Sequence, residues 1–500
     1  MILDNTESPR DAPTTLDDLF RRAGVRRPQA LALIDPPNRE HFTDGAPRRL
    51  TYAQADRAIS AIAARLRALG LPTDAVVALQ FPNTVESVLA LLGVLRAGMI
   101  AAPLPLLWHR QDAAAALRGV GAKAIVTCAR IGPTAQAELA MQTAADVFSI
   151  RQVCAFGAAL PDGVTPLDDV FNADADGASA VARLADPAAH IAAVSFDVTT
   201  AGLVPMARNH RQLIAGGLLP CLESGLREDA NILSTIPATS FAGMALTLLP
   251  WLLSGGTLTL HHSFDAVSFA TQLQGQAFDA VIVPAATLPL LGETGFLGAA
   301  KALIALWRAP ERMQRAETCE MHNPVIDVAS FGEIGIAAAR RIAGTPSPLP
   351  CAAIAAPGEA AAAPPLVELA RGDAGTLTLR GAMVPANGFP FGAKPHPATA
   401  KTGFVDSGQL CRFAAGRDAL IVTGPPPGIV GVGAYRFVAR ELDELADGLG
   451  IEATLAVLPQ ELIGERLAGH AADRGAVLQE LQRRGVNPLI AGAFQRQKAA

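Results

Sequence analysis

Lysine and arginine gather nowhere along this chain, and its formal net charge is −5, so the basic field that nucleic-acid binding requires is missing. No Cys-x-x-Cys pair occurs. The six cysteines (Cys128, Cys154, Cys221, Cys319, Cys351 and Cys411) are scattered without regular spacing, which points to reduced thiols in a cytoplasmic protein. The opening MILDNTESPRDAPTT is polar and acidic and lacks the basic-then-apolar order of a secretion signal. There is no Gly-x-Ser-x-Gly elbow, so hydrolase chemistry has no support. His261-His262 is not completed by any cysteine or carboxylate spacing, and neighbours on a strand face opposite ways, so no metal site is assigned. Charge is absent altogether from Asn231 to Phe264, a length that raises the question of a membrane span. Pro237, Gly243, Pro250, Gly255 and Gly256 interrupt that run, and TLTL at 257–260 reads as a strand. The expectation is two buried strands flanking one buried helix.

What is present is a folded chain of 500 residues, half of them hydrophobic and 17% charged. Apolar strand-like runs alternate with helical patterns, the signature of α/β architecture. Residues 55–69 carry Ile59, Ile62, Leu66 and Leu69 on one face and Arg57, Arg65 and Arg67 elsewhere, predicting an amphipathic helix ended by Gly70. AVVALQF (75–81), MIAAPLPL, AKAIVT (122–127), IAAVSF (191–196) and FDAVIVP (278–284) read as strands.

Residues 191–213, IAAVSFDVTTAGLVPMARNHRQL, place Thr199, Thr200, Gly202, His210, Arg211 and Leu213 as a phosphate-binding loop followed by a helix would. Upstream stand TLDDLFRRAGVRRPQALALID (15–35) and the run from LTYAQADRAISAIAARLRALG to MIAAPLPLL. Downstream come LSTIPATSFAGMALTLLPWLLSGGTLTL, GDAGTLTLRG (372–381), GFVDSGQL (403–410) and VLPQELIGERLA (457–468). In this shared order the sequence resembles the adenylate-forming (AMP-binding) acyl-CoA synthetase/ligase superfamily over most of its length. The resemblance implies an α/β fold: a large N-terminal domain of two α/β subdomains and a distorted β-barrel, then a small α+β C-terminal domain. The breaks place these at 1–423 and 424–500, with the Pro-rich GPPPGIVGVG (424–433) between them. The Ala/Pro-rich 351–365 is expected to be a surface connection within the large domain.

The resemblance also implies ATP or AMP, magnesium and CoA as ligands and a carboxylic acid or acyl group as substrate. It implies specific residues for them as well. Here this sequence departs. The cradle lysine position is Val204, and the Thr-Ser-Gly lead-in is Phe196-Asp197-Val198, which puts an anion where phosphate would approach. The magnesium-carboxylate motif corresponds to Phe331-Gly332-Glu333-Ile334-Gly335, with Gly335 at the acid position. An extended backbone would leave Glu333 on the same face but about 7 Å away. It reads either as a substitute ligand or as a solvated loop residue. The ribose-carboxylate motif is Ser407-Gly408-Gln409, and Asp406 faces elsewhere. The hinge aligns with Gly424-Pro425-Pro426-Pro427-Gly428, so Pro425 replaces an arginine and Gly428 is the pivot. The adenylation lysine is Ala493, with Lys498 further along in the terminal tail, and the acyl-pocket histidine is Ser240.

Nucleotide-binding candidates by this resemblance are Thr199, Thr200, Gly202, Phe331, Gly332, Glu333 and Gln409, and Ser240 is the acyl-pocket candidate. Losing one preorganised donor costs on the order of 3 kcal/mol of barrier. Five charged positions are vacated: Val204, Gly335, Gln409, Pro425 and Ala493. Three readings stay open at this point. One is a fold with ATP-dependent activation lost or strongly reduced, binding an acyl group or nucleotide or serving as partner to an acyl-transfer enzyme. Another is an active ligase rebuilt on Glu333, Asp406, Gln409 and Lys498. The last is an interaction protein with a collapsed pocket.

Overall fold

The computed structural model describes residues 14–172, 186–262, 264–293, 300–316, 323–355, 364–385, 387–390, 403–449, 453–460 and 463–495. Cys319 and Lys498 lie outside them.

Two α/β sheets form the bulk of the molecule. A seven-stranded sheet runs in the order Thr165–Pro166, Gln152–Phe156, Ala124–Cys128, Val76–Gln80, Ile100–Pro103, Ile191–Thr199, Gly202–Asn209. It is parallel except for the last pair. An eight-stranded sheet centres on the parallel strands Ala300–Trp307, Phe278–Pro284, Asn231–Ser234, Thr257–Leu260 and Leu31–Ile34. Strands with both faces covered are apolar throughout. That explains the charge-free run: Asn231–Ser234 and Thr257–Leu260 are neighbours in the middle of this sheet. Between them Phe241–Gly243, Met244–Leu248 and Leu249–Ser254 continue as one buried helix with a wide π turn at its centre. The expectation of two strands around one helix holds. No helix among the described residues is long and apolar enough to cross a membrane.

The predicted helix at 55–69 is Tyr52–Ala68, begun by a capping box in which Thr51 and Gln54 satisfy each other's backbone N–H. Its buried face (Ile59, Ile62, Leu66) packs against Val85–Arg96, where Gly93 lets the two helices touch. A Cβ on Gly93 would lie 2.5 Å from Ile62 Cγ2. Both sheets and these helices share one apolar core. A six-stranded, fully antiparallel sheet (Leu349–Pro350, Ala419–Gly424, Val405–Phe413, Thr376–Arg380, Val367–Arg371, Ala353–Ile354) supplies the half-barrel.

The C-terminal unit has a four-stranded antiparallel sheet, Tyr435–Val438, Ile429–Val432, Gly464–His470, Thr454–Gln460, with the helices Ala439–Asp447, Arg474–Arg484 and Pro488–Ala493. Its apolar cluster (Val432, Leu442, Leu467, Val477, Leu481, Phe494) is its own. Polar contacts fasten it to the rest. Leu107 N–H donates to Tyr435 Oη at 3.0 Å, Gln111 N–H donates to Gly485 O at 3.0 Å, and Arg436 Nη1 lies 3.4 Å from Asp197 Oδ1.

Asp112, in the first turn of the helix Arg110–Val120, sits at this seam. Burial, with Glu441 adding repulsion, pushes its carboxyl up to about 7. An unfolded chain titrates the same group near 3.9. The fold therefore holds a proton that the unfolded chain has released. The contribution is complete below about pH 4 and is lost as the pH climbs to 7. Asp112→Asn is accordingly expected to melt with the wild type near pH 4 and several degrees above it past pH 7. Scanning calorimetry at the two pH values checks this, and equal melting at both would contradict it.

Candidate functional site

The stretch resembling a phosphate loop is a closed β-hairpin. Ile191–Thr199 and Gly202–Asn209 pair antiparallel with Asp197 opposite Val204, Val198 opposite Leu203 and Thr199 opposite Gly202. A phosphate cradle turns consecutive N–H groups inward. Here the strands flanking the tip pair with each other, and the Val198 and Ala201 N–H groups are taken by side-chain oxygens. Thr199 Oγ1 donates to Gly202 O at 3.1 Å and accepts from Ala201 N–H at 3.2 Å, sealing the tip. Thr200 stands at that tip, 3.3 Å from where a Cβ on Gly428 would be. No lysine occurs between Lys123 and Lys301. Asp197 does not face an open cradle, as its place in a loop implied. It is buried in the strand, accepts from Val198 N–H at 3.0 Å and pairs with Arg436. His210 and Arg211 are likewise taken up structurally: Leu16 N–H donates to His210 Nδ1 at 3.2 Å, and Arg211 pairs with Asp186 at 2.6 Å.

The solvated reading of Glu333 needs correction, and so does the extended backbone. The backbone is a tight turn, not extended, between Val325–Phe331 and Gly335–Arg340, with Gly332 at φ +60° and Ile334 N–H donating to Phe331 O at 3.1 Å. The turn swings Glu333 inward, leaving it 9% exposed and not solvated. Its Oε2 accepts from Phe241 N–H at 2.7 Å, capping the buried helix. Burial raises its pKa, opposed first by that N–H. At Gly335 an added Cβ would lie 3.2 Å from Leu379 Cδ2 and 3.8 Å from Met383 Sδ, so a side chain there would enter an apolar layer.

Ser240 N-caps the same helix. Its Oγ accepts from Gly243 N–H at 3.1 Å and lies 3.5 and 3.4 Å from Arg308 Nη1 and Nη2. Arg208, fully buried on the second strand of the hairpin, donates from Nε to Met383 O at 3.2 Å. Its Nη2 donates to Glu333 O and, at 2.8 Å, to Ile334 O. Its guanidinium covers the Phe241 ring at 3.7 Å. Burial lowers its pKa to about 9, with Glu333 and Asp197 opposing. The structure thus brings together Asp197, Arg208, Ser240, Arg308, Glu333 and Arg436. Three of these, Arg208, Arg308 and Arg436, carry no motif. The signal available for Arg208 and Arg308 was a lone arginine in, or just after, an otherwise apolar strand (PMARN, ALWRAP).

The other candidates are not gathered with that cluster. Gln409 is 1% exposed on the half-barrel strand Val405–Phe413, and its Oε1 has no hydrogen-bond partner. Asp406 faces elsewhere, as expected, accepting from Thr376 Oγ1 and Gly408 N–H, both at 2.8 Å. Pro425 and Gly428 belong to the turn between Ala419–Gly424 and Ile429–Val432, where Ile429 N–H donates to Pro426 O at 3.1 Å. Ala493 packs on the C-terminal unit's own cluster. His261 bonds Gln272 Oε1 at 2.6 Å and accepts from Asp265 N–H at 3.3 Å. His262 packs on Phe42.

A magnesium–triphosphate group does not fit these residues. The loop is folded into a paired hairpin with the Val198 and Ala201 N–H groups taken by side chains, position 204 is valine, position 335 has no carboxylate, and Glu333 accepts from a helix N-terminus.

Among curated proteins, this chain is similar to the beauvericin nonribosomal cyclodepsipeptide synthetase BEA1 of Gibberella fujikuroi, 34% identical over 97 residues. A bassianolide nonribosomal cyclodepsipeptide synthetase of Beauveria bassiana is 34% identical over 98 residues. These matches cover 19% and 20% of this chain and 3% of each relative's length. Among solved structures, the amide bond synthetase McbA from Marinactinospora thermotolerans superposes with a TM-score of 0.72 at 16% identity, covering 95% of this chain and 94% of that one. Apo MbtA from Mycobacterium smegmatis gives 0.64 at 21% identity, covering 95% and 90%. Those likenesses establish the fold alone. The model of the AMP-binding enzyme family matches residues 20–281, just over half of the chain. With two α/β sheets, a half-barrel and a C-terminal unit in the order of that family's structures, the chain belongs to the AMP-binding enzyme family.

Proposed function

We propose that this protein has lost, or nearly lost, ATP-dependent carboxylate activation and acts through its cleft, binding an acyl group or nucleotide or serving as partner to an acyl-transfer enzyme. The observation that carries the reading is the closed hairpin at 191–209, whose tip N–H groups at Val198 and Ala201 are taken by Asp197 and Thr199 side chains and whose Asp197 pairs with Arg436. The vacated positions Val204, Gly335, Gln409, Pro425 and Ala493 support it. Each lost donor is worth about 10²–10³ in rate, and losses within one site do not simply multiply. Two or three suffice to leave turnover at background. Free cysteines at every described position support a cytoplasmic setting. A division of the chain at Gly424 belongs to the same proposal, supported by the separate apolar cluster beyond it.

Pyrophosphate release from ATP, assayed with a panel of carboxylic acids and magnesium, is expected to stay at the no-enzyme rate. Turnover at ordinary enzyme rates, abolished by Glu333→Ala, would instead establish a rebuilt ligase. Calorimetry with AMP, ATP and acyl-CoA then separates a binding protein from one with a filled pocket, which gives no heat.

A further inference from the structure

We infer that the C-terminal unit is held to the rest of the chain by a proton-dependent latch, in which acids meet acids across the seam and the unit loosens as pH rises. The inference rests on the division of the chain at Gly424. Beyond that point the apolar cluster is separate, and among the described residues Tyr435 alone joins the apolar clusters of the larger part. The fastenings are mostly polar, and two of the acids among them are poorly served.

Asp112 stands beside the contact of Gln111 N–H with Gly485 O. Its Oδ2 is buried and has no hydrogen-bond partner among the described residues. Arg110, two residues back, is occupied by Asp146 at 2.8 Å. That leaves Glu441, in the first turn of the helix Ala439–Asp447, as the charge that bears on Asp112. Glu311 repeats the arrangement. It lies in the turn Pro310–Arg315 with its Oε2 buried and unpartnered among the described residues. This turn meets the strand Gly464–His470, where a Cβ on Gly464 would lie 3.2 Å from Arg312 Nη1. Glu465 on that strand repels Glu311, while Arg436 and Arg312 attract it. Arg436 is shared with Asp197 at 3.4 Å.

A carboxylate stripped of water and donors and set near a second negative charge is better protonated. Burial therefore pushes both carboxyls up, Asp112 to about 7 with Glu441 helping, and Glu311 against its own backbone N–H and Arg436. Undocking returns water to both and lowers them toward the ordinary range of about 4. The docked form thus holds protons that the released form gives up, so docking is firmest at acid pH and weakens as pH climbs through 7. His109, just ahead of that helix, works the other way: burial lowers its pKa, so its protonation at the acid end opposes docking. A comparison with Asp112→Asn cancels that opposing effect.

The test is hydrogen exchange of the full-length protein between about pH 6 and pH 8.5, read by mass spectrometry and corrected for the intrinsic pH dependence of exchange. Gln111 N–H sits in the first helical turn, where no intrahelical acceptor exists, so release leaves it unprotected. Leu107 N–H, which donates to Tyr435 Oη, reports in the same way. Measured against the core strand Val76–Gln80, protection of both amides is expected to fall about tenfold more in the wild type than in Asp112→Asn, the yield of one carboxyl titrating near 7. Adding Glu311→Gln should flatten the profile further. Glu441→Gln changes an exposed side chain, lessens the repulsion and should reduce the fall, which gives the reading if Asp112→Asn does not fold. Equal protection at both ends of the range in the wild type, or the wild-type fall in the double variant Asp112→Asn, Glu311→Gln, overturns the latch. A core strand that loses protection together with the seam also overturns it, since the whole protein is then opening. Seam amides as protected as the core strand at every pH would fail the division at Gly424 as well, whereas a seam that opens equally at every pH fails the latch alone.

Discussion

Arg208→Met is expected to destabilise the protein by about 3 kcal/mol. Arg208 is 1% exposed and satisfies three buried carbonyls, those of Met383, Glu333 and Ile334, which come from two separate segments. Each buried acceptor stripped of its donor costs about 1–3 kcal/mol. The stacking on Phe241 at 3.7 Å is lost as well, although methionine restores part of the packing. Arg208→Lys keeps the charge but offers a single point in place of a planar fork, so it should recover only part of the loss. Urea unfolding of the three proteins decides the matter. A methionine variant as stable as the wild type would mean that the carbonyls find other donors.

Gly243→Ala is expected to cost a similar amount, about 3 kcal/mol at the upper end of ordinary overpacking. An added Cβ would lie 2.1 Å from Pro237 O, 3.1 Å from Pro237 C and 3.2 Å from Ala238 Cα. All three are backbone atoms, so no side chain can simply rotate away. The segment Pro237–Ser240 must move, and Ser240 then leaves both Gly243 N–H and Arg308. Gly492→Ala is the matched control, since nothing lies within 4 Å of its Cβ position. Circular-dichroism melts of both variants give the comparison. A Gly243→Ala protein with wild-type melting would show that the loop yields freely.

Much of the fold was legible because its signals are local. Ile59, Ile62 and Leu66 repeat at the helical period, and the buried parallel strands read as continuous apolar runs. The charge-free run at 231–264 was resolvable from its glycines and prolines alone. The site was less legible, for two physical reasons. Thr199, Thr200 and Gly202 suit an open loop and a hairpin tip equally well, and only pairing between Asp197 and Val204 decides between them. Glu333 depends on a turn: with Gly332 in the left-handed region the side chain points at a helix N-terminus 92 residues away in sequence. Arg208, Arg308 and Arg436 come from three distant segments that only the tertiary fold brings together, and no spacing records that.

The closed hairpin has a consequence for the heat of binding. A flexible loop that wraps a ligand loses conformational entropy as it orders, about 1–2 kcal/mol for each residue fixed. Residues 197–199 and 202–204 are already paired across the ladder and have little disorder left to lose. A molecule entering this cleft meets a wall set beforehand, so choice among ligands falls to shape and charge and not to the closing of a loop.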